Sequence, residues 1–303
     1  MEHFNHPQPL ESLDQITLLT DLDNTIWPWL AFACKSYPAI AQEISDQTGV
    51  PLEKIKKGMR HHYTVAGTLE DAGLIAGLKE QGIFSGIKLD EEELIREAQQ
   101  IFQDYRNEYL QLYKGIAEML DIITKNRVRI LGLTDAPPFH AKMRARKLGL
   151  ERWIKTLFAL KPIKDPVLSD TVLLREARGL YDTPFTVIPV DEEKPDTDLP
   201  KVLGISGEDP SDIRRYTENC VYVLGDSVPK DMMTAHQNGA HGILADWGKA
   251  PEEQIAPMRE IAPESITAKN TPTKIKIQEV EMNPKIVKAA TPQEVIKIMG
   301  LLK

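Results

Sequence analysis

Residues 16–26 read ITLLTDLDNTI, an apolar run that ends abruptly in Asp21, Asp23 and Thr25. A short, continuous apolar run is typical of a strand that is buried on both faces of a parallel sheet. Two carboxylates directly after such a strand indicate one of two sites. One is a calcium-binding loop, and the other is a magnesium-dependent phosphoryl-transfer site.

The calcium-binding loop is excluded by the residues that follow Asp21. A loop of the EF-hand type requires Gly at its sixth position and Glu at its twelfth. Counted from Asp21, these two positions hold Ile26 and Phe32. The predicted element before the loop is also a strand, whereas an EF-hand loop follows a helix.

Four apolar runs predict strands, at Ile16–Leu22, Val128–Thr134, Val221–Leu224 and near Gly242–Ala245, and helical patterns separate them. Alternating strands and helices predict an α/β fold with a doubly wound, Rossmann-like parallel sheet. Ligands of such folds bind at the carboxyl ends of the strands. We therefore expect the side chains that end these runs to meet in one crevice.

Residues 27–112 have a different character, because every segment in them has helical spacing. This stretch predicts a small all-helical cap above the strand ends. The predicted core then comprises residues 1–26 and 113–249, and residues 250–303 are expected to form a C-terminal extension that packs on the core.

Three segments outside the main pattern carry predictions of their own. LSDTVLLREARGLYD (168–182) is a predicted helix, and PFTVIPV (184–190) a predicted strand. In the tail, the alternating TKIKIQEVEM (273–282) predicts an edge strand, and PQEVIKIMGLL (292–302) a final helix.

Charge and cysteine content narrow the function classes. The net charge of −8 disfavours nucleic acid or an anionic membrane as the main partner. Cys34 and Cys220 lie far apart, so neither a disulfide framework nor a zinc site is indicated. No segment reads as a signal peptide or a bilayer-spanning run, so we expect a cytoplasmic protein, and the sequence leaves its oligomeric state open.

A phosphoryl-transfer site requires a nucleophile, a proton donor for the leaving group and a metal. Asp21 and Asp23 are candidates for the nucleophile and the general acid. Asp226 and Asp231 in GDSVPKD offer further oxygen ligands to a hard cation such as magnesium.

Such a site also requires cations or hydroxyls around the phosphoryl oxygens. Thr134 ends its strand with a hydroxyl, and Lys194 in EEKPDT provides a cation. Lys161 in LFALKPIKDP competes for the same role. The basic run KIKKGMR (54–60) is a further source of cations, although a charge run is more often a solvated helix face.

Taken together, these motifs resemble the haloacid dehalogenase superfamily of phosphohydrolases. The four matching motifs are DLDNT (21–25), ILGLT (130–134), KPD (194–196) and GDSVPKD (225–231). The resemblance covers roughly residues 15–27 and 113–248, and the helical stretch lies where this family inserts a helical cap after the first motif. The interval from Thr134 to Lys194 is longer than expected for the family.

The resemblance implies roles for the matching residues. Asp21 would attack phosphorus and form an aspartyl-phosphate, and Asp23 would protonate the leaving oxygen and then activate water. Magnesium would bind the carboxylates of Asp21 and Asp226 and the main-chain carbonyl of Asp23, with support from Asp231. Thr134 and Lys194 would hold the phosphoryl oxygens.

The implied function is a magnesium-dependent phosphatase that acts on a small phosphorylated metabolite. Asp23 favours the phosphatase and phosphomutase branches, because the dehalogenases lack this acid and need no metal. A phosphomutase or phosphotransferase on the same scaffold, and a non-catalytic binding protein, remain as alternative hypotheses.

Overall fold

The structure is a computed structural model that describes residues 12–69, 71, 73–161, 186–205, 208–249, 252–262 and 274–302. Its strands are β1 (Thr17–Thr20), β2 (Arg129–Thr134), β3 (Thr156–Leu160), β4 (Thr186–Val190), β5 (Val221–Gly225), β6 (His241–Ala245) and β7 (Ile286–Ala289). These seven strands form one parallel sheet in the order β4-β3-β2-β1-β5-β6-β7. The predicted doubly wound α/β fold is confirmed.

Strand β1 lies at the centre of the sheet, between β2 and β5. Its neighbouring residues Leu18 and Leu19 are at most 1% exposed and belong to two different hydrophobic clusters. Successive side chains of a strand point to opposite faces, so both leucines stay buried only where the sheet is covered on both sides. The strand order reverses at β1, which makes the carboxyl end of this strand the expected position of a ligand site.

Four helices between β1 and β2 form what we call the helical layer: α1 (Trp29–Thr48), α2 (Leu52–Ala66), α3 (Leu74–Glu80) and α4 (Glu91–Tyr109). Aromatic rings pack edge to face inside it. The ring centroids of Phe32 and Phe102 lie 4.9 Å apart, and those of Tyr37 and Tyr63 lie 5.7 Å apart. The helical character predicted for residues 27–112 is confirmed, whereas their separation as a domain stays a prediction.

Local sequence signals set several helix ends in this layer. Pro51 directly precedes α2, and the Asp90 carboxylate accepts a hydrogen bond from the N–H of Glu93 at the start of α4. Gly49 and Gly67 end α1 and α2 with φ of 69°, a conformation that favours glycine.

The helices outside the layer are α5 (Ile116–Lys125), α6 (Pro138–Lys147), α7 (Leu199–Leu203), α8 (Pro210–Cys220), α9 (Met233–Gln237), α10 (Glu252–Arg259), α11 (Lys274–Glu281) and α12 (Pro292–Ile298). One turn of π-helix, Val228–Met232, leads into α9. Every helix in the described residues is too short or too polar to cross a bilayer.

The first part of the C-terminal extension packs on the helical layer. Met258 and Ile261 are 3% and 0% exposed and belong to the hydrophobic cluster that contains Phe32. The ammonium of Lys56 on α2 forms an ion pair of 2.6 Å with Glu260. Residues 252–262 therefore pack on the helical layer, whereas Ala289 and Val295, later in the extension, are buried in the core cluster that contains Leu18. The packing of the extension on the core as one unit stays a prediction.

The prediction of an edge strand at 273–282 is wrong, because residues 274–281 form α11. Val280 is fully buried against Met232 and Leu244, whereas Met282 is 75% exposed. In a strand, residues two apart share one face, so the alternating pattern required Val280 and Met282 to be buried together. The edge of the sheet is occupied by β7.

Two further predicted elements are found in the structure, and one lies outside the residues that it describes. PFTVIPV forms β4, PQEVIKIMGLL contains α12, and the helix predicted at 168–182 lies outside the described residues. Strands β3 and β7 were not predicted. The first consists of only TLFAL, and the second consists of IVKA at the sheet edge, where only Ala289 is buried.

We expect Met258→Ala to lower the free energy of unfolding by about 2–5 kcal/mol, because it leaves a cavity between α10 and the helical layer. The matched control is Met282→Ala, in the same C-terminal extension, which should change the stability by less than about 0.5 kcal/mol because Met282 is 75% exposed. Urea unfolding followed by circular dichroism measures both. Equal effects of the two substitutions would contradict the packing of α10.

Candidate active site

The turn after β1 brings Asp21 to the point where the strand order reverses. The Asp21 N–H donates to the carbonyl of Leu224 at 2.8 Å, which extends the ladder to β5 by one residue. Asn24 then adopts a φ of 61°, and its side-chain oxygen accepts from the N–H of Leu30 at 2.7 Å. Asn is among the few residues that tolerate this left-handed conformation. The turn therefore ties the end of β1 to the start of α1.

The Asp21 carboxylate is 6% exposed and has a hydrogen-bond donor on each oxygen. Its Oδ1 lies 2.5 Å from Nζ of Lys194, and its Oδ2 accepts from the hydroxyl of Thr25 at 3.1 Å. Burial raises the pKa of Asp21 well above its ordinary value, and the Lys194 ammonium counteracts part of this rise. The carboxylate is thus held in one orientation at the floor of the crevice.

Lys194 is 3% exposed, and its Nζ also lies 2.6 Å from Oδ1 of Asp231. Burial alone would lower the pKa of this lysine, but Asp21 and Asp231 raise it well above the ordinary value. A buried ammonium is tolerated where carboxylates pair with it. Lys194 therefore carries a positive charge between two acidic side chains that come from different loops.

Gly225 makes the close approach of Asp231 possible. A Cβ atom at position 225 would lie 2.1 Å from Cγ of Asp231. The second carboxylate oxygen of Asp231 accepts from the N–H of Ser227 at 3.1 Å. Because Gly225 has no side chain, the Asp231 carboxylate in the following π-turn can fold back against β5.

Asp21, Asp226 and Asp231 form an acidic group that fits a hard divalent cation. Each offers a carboxylate oxygen, and these oxygens lie within 4.8 Å of one another. Burial raises the pKa of Asp226 to about 7, and the negative charge of the neighbouring Asp231 adds to this rise. Magnesium prefers oxygen ligands of this kind, and a bound cation would relieve the repulsion.

Asp23 lies beside this group and is paired with Arg144 on α6. Nη1 of Arg144 lies 3.1 and 3.2 Å from the two Asp23 carboxylate oxygens, and Arg144 is 4% exposed. Burial raises the pKa of Asp23, and Arg144 counteracts part of the rise. The guanidinium also lies over the ring of Trp27, 5.1 Å from the centroid.

Arg144 is not among the candidates from the sequence, because three other basic residues surround it in KMRARK. One signal was available. Arg144 is three residues from Ala141, so both lie on one face of α6, and Ala141 is 1% exposed. A charged residue on the apolar face of a helix requires a buried partner.

A second ion-pair network, also missed, lies beside Lys194. Lys230 lies 2.9 Å from Oδ2 of Asp135 and 2.6 Å from Oε1 of Glu193, and Oδ1 of Asp135 accepts from the N–H of Lys194 at 3.3 Å. Burial opposes ionisation of Asp135, but Lys194 and Lys230 outweigh it and lower its pKa. These residues directly neighbour Thr134, Lys194 and Asp231 in sequence, and this adjacency was the available signal.

Thr134 and Lys161 lie in the same crevice in different settings. Thr134 ends β2, is 1% exposed, and its hydroxyl accepts from the N–H of Ala136 at 3.1 Å. Lys161 is 54% exposed and pairs with Asp191 at 2.6 Å. Of the two lysines considered from the sequence, Lys194 is the one that pairs with Asp21.

A cavity of about 550 Å³ joins these groups. Six of the residues selected from the sequence line it, namely Asp21, Asp23, Thr134, Lys194, Asp226 and Asp231. The helical layer contributes Trp29 and Leu30 from α1 and residues 66–69 from the end of α2. The geometry therefore brings together a buried carboxylate, an ammonium and a carboxylate group suited to a cation.

We expect Arg144→Met to lower the free energy of unfolding by about 2–3 kcal/mol, because Asp23 would lose its charged partner. The control is Arg152→Met, which should have little effect because Arg152 is 66% exposed. Thermal unfolding measures both variants. The double variant Asp23→Asn/Arg144→Met should lose less stability than the sum of the two single variants. If the stability losses of the two single variants simply add up in the double variant, the ion pair between Asp23 and Arg144 does not contribute to stability.

No protein-family model and no curated protein sequence matches the chain. A haloacid dehalogenase-like family hydrolase from Xanthomonas campestris shares 13% identity at a TM-score of 0.50, covering 85% of this chain and 94% of that one.

Two further solved structures are similar over most of their length. A 2-haloacid dehalogenase from Pseudomonas syringae pv. Tomato DC3000 shares 16% identity at a TM-score of 0.49, covering 94% of this chain and 99% of that one. A HAD phosphatase from Thermococcus onnurineus shares 14% identity at a TM-score of 0.48, covering 94% and 98%. At such identities it is the fold that is shared, and the match to the Xanthomonas hydrolase reaches a TM-score of 0.50. The chain therefore has the fold of the haloacid dehalogenase superfamily.

Proposed function

We propose that the protein is a phosphatase that hydrolyses a small phosphorylated metabolite through an aspartyl-phosphate on Asp21, with magnesium as its cofactor. One observation carries the proposal. The Asp21 carboxylate lies buried at the end of the central strand, 2.5 Å from the Lys194 ammonium and within reach of two further carboxylates. A nucleophile, a cation and a metal-ligand set in one water-accessible cavity suit phosphoryl transfer.

In the first step, an oxygen of Asp21 forms a bond to phosphorus while the bond from phosphorus to the leaving oxygen breaks. Oδ1 and Oδ2 are held by Lys194 and Thr25, which limits the carboxylate to one orientation. Such positioning reduces the entropy that the reaction must lose on reaching its transition state. The leaving oxygen takes its proton from Asp23, which lines the same cavity.

In the second step, water attacks the aspartyl-phosphate, and the Asp21–phosphate bond breaks. Asp23 then accepts the proton of that water, so the residue returns to its starting state over the two steps. The pair with Arg144 holds the Asp23 side chain in place while its proton count changes.

Charge on the phosphoryl oxygens would be met by Lys194 and by the hydroxyl of Thr134. Removing a positioned donor of this kind typically costs about 10²–10³-fold in rate. Both groups are at most 3% exposed, so water weakens their interactions little.

Magnesium would be held by the carboxylates of Asp21 and Asp226 and the main-chain carbonyl of Asp23, with Asp231 in support. When bound, the cation supplies positive charge that draws the phosphate dianion and the acidic nucleophile together. Asp231 is already engaged by Lys194 and Ser227, so its role is to hold the set in place.

We expect Asp21→Asn to reduce phosphate release from p-nitrophenyl phosphate by at least roughly 10³-fold, because an amide is a poor nucleophile. EDTA should abolish release by the unaltered protein, and magnesium should restore it. The control is Asp46→Asn on the exposed face of α1, which should retain full activity. Substantial activity in Asp21→Asn would refute the assignment of the nucleophile.

The helical layer can exclude an artificial substrate such as p-nitrophenyl phosphate. The assay therefore also requires a panel of phosphorylated metabolites. Retention of phosphate on a second hydroxyl of the product, without release to water, would indicate a phosphomutase. Magnesium binding without turnover on any phosphoester would indicate a binding protein.

Substitution of the two candidate lysines separates their roles. Lys194→Met should lower kcat/KM by about 10²–10³-fold, because it removes a buried cation from the phosphoryl site. Lys161→Met should change kcat/KM only a few-fold, because this side chain is 54% exposed and pairs with Asp191. Circular dichroism must show that Lys194→Met is folded. The opposite order of effects would transfer the phosphate-binding role to Lys161.

A further inference from the structure

We infer that the leaving group of the substrate is an alcohol that carries no second anionic group and has a ring or other apolar surface. This inference rests on the proposed function and specifies its substrate class. It follows from three properties of the cavity, namely the balance of charge on its walls, the pairing of its lysines and the apolar contribution of the helical layer.

Acidic groups dominate the cavity. Seven carboxylates and three lysines line it among the described residues. Arg144, which pairs with Asp23 from behind, reduces the excess of acidic groups from four to three. Asp23 is protonated before the proposed first step, so a bound divalent cation would bring the balance to zero, and the phosphate dianion of the substrate would then make it negative. A second anion on the substrate would therefore find no excess of positive charge.

The lysines away from Asp21 already have partners. Lys161 pairs with Asp191 at 2.6 Å, and Lys230 pairs with Asp135 at 2.9 Å and with Glu193 at 2.6 Å. Because each of these ammonium groups already faces one or two carboxylates, a carboxylate or a second phosphate bound there would also meet their negative charge. In the described part of the cavity, Lys194 is the remaining lysine, and the proposed mechanism assigns it to the transferred phosphoryl group.

The basic run at 54–60 on α2 does not change this balance, since none of its residues lines the cavity. Lys54 donates to the carbonyl of Ile83, and Lys56 pairs with Glu53 and Glu260. The helical layer meets the cavity instead through the opposite end of α2.

That part of the helical layer is mainly apolar. Trp29, Leu30, Ala66 and Leu69 contribute to the lining, together with Gly67 and Thr68. The described residues of the layer thus bring no charged side chain to the cavity. An indole and two leucines suit a ring or a hydrocarbon face, because such groups bury apolar area on contact.

The volume leaves space for such a group. Cavities of about 300–1,000 Å³ hold drug-sized ligands, and this one measures about 550 Å³. A phosphoryl group fills only a small part of it. The remaining space, with an acidic side and an apolar side, fits a leaving group of ring size that is neutral or cationic.

Two esters that differ by one charge test the inference on the unaltered protein. These are 4-(carbamoylmethyl)phenyl phosphate and 4-(carboxymethyl)phenyl phosphate, which have nearly the same shape and leaving-group chemistry. We expect kcat/KM for the neutral amide to exceed that for the carboxylate at least tenfold at low salt, and the ratio to shrink at 0.5 M NaCl. The cationic 4-(aminomethyl)phenyl phosphate should be at least as good a substrate as the amide.

The outcomes separate the inference from the proposed function. Equal or better hydrolysis of the carboxylate ester would overturn the inference and leave the phosphatase assignment intact. No hydrolysis of any ester or of the metabolite panel would overturn the phosphatase assignment, and the inference with it.

Two variants test the origin of the selectivity. Asp191→Asn frees Lys161, so the ratio of kcat/KM between the amide and carboxylate esters should fall several-fold, whereas Asp46→Asn should leave the ratio unchanged. Trp29→Ala should raise KM for the amide ester several-fold but leave KM for ethyl phosphate within twofold. An unchanged ratio in Asp191→Asn would overturn the charge argument, and equal effects of Trp29→Ala on both esters would overturn the apolar contact.

Discussion

The buried ammonium of Lys194 is the interaction on which the arrangement of this crevice depends. It joins Asp21, which is 173 residues away in sequence, to Asp231, which is 37 residues away, at distances of 2.5 and 2.6 Å. Without a cation between them, these carboxylates could not share a buried position, because their desolvation and mutual repulsion are unfavourable. The loops after β1 and β5 and the segment around residue 194 are therefore coupled. The nearby pairs made by Arg144 and Lys230 follow the same rule, since each places a cation against a buried or partly buried acid.

The helical layer is held over this crevice by more than the chain that enters and leaves it. At the entry, Asn24 binds the start of α1, and Trp27 is buried in the cluster of the layer. Where the chain leaves the layer, the N–H of Tyr113 donates to the carbonyl of Ile26 at 3.0 Å. The segments that enter and leave the layer are therefore hydrogen-bonded to each other. Residues 252–262 add a third connection through Met258 and Ile261. Movement of the layer relative to the sheet would have to break the packing of α10 or carry that segment along.

The cavity separates two kinds of surface that the proposed chemistry would use differently. The strand ends contribute carboxylates and paired lysines, where a cation and a phosphoryl group have partners. The helical layer contributes an indole, leucines and small residues, which have no charge to offer. Reaction and selection of the leaving group would thus reside on different structural elements. This division agrees with the general observation that one scaffold hosts many substrates through changes in the segments above its strand ends.

The sequence by itself was sufficient for the fold class and for six candidate site residues. Buried parallel strands have continuous apolar runs, and their carboxyl ends meet at one edge, so Asp21, Thr134 and Asp226 could be placed together from pattern alone. Strand β3 has a short apolar run that was overlooked, whereas β7 lies at the sheet edge and buries only Ala289. Residues 273–282 alternate like a strand but contain a helix, in which Val280 is buried.

Only the tertiary structure decided which charges are partners. Lys194 rather than Lys161 pairs with Asp21, and one arginine among several neighbouring basic residues reaches Asp23. Ion pairs between distant segments depend on where the backbone brings two side chains and on how far water is excluded there. No local pattern of residues records either quantity.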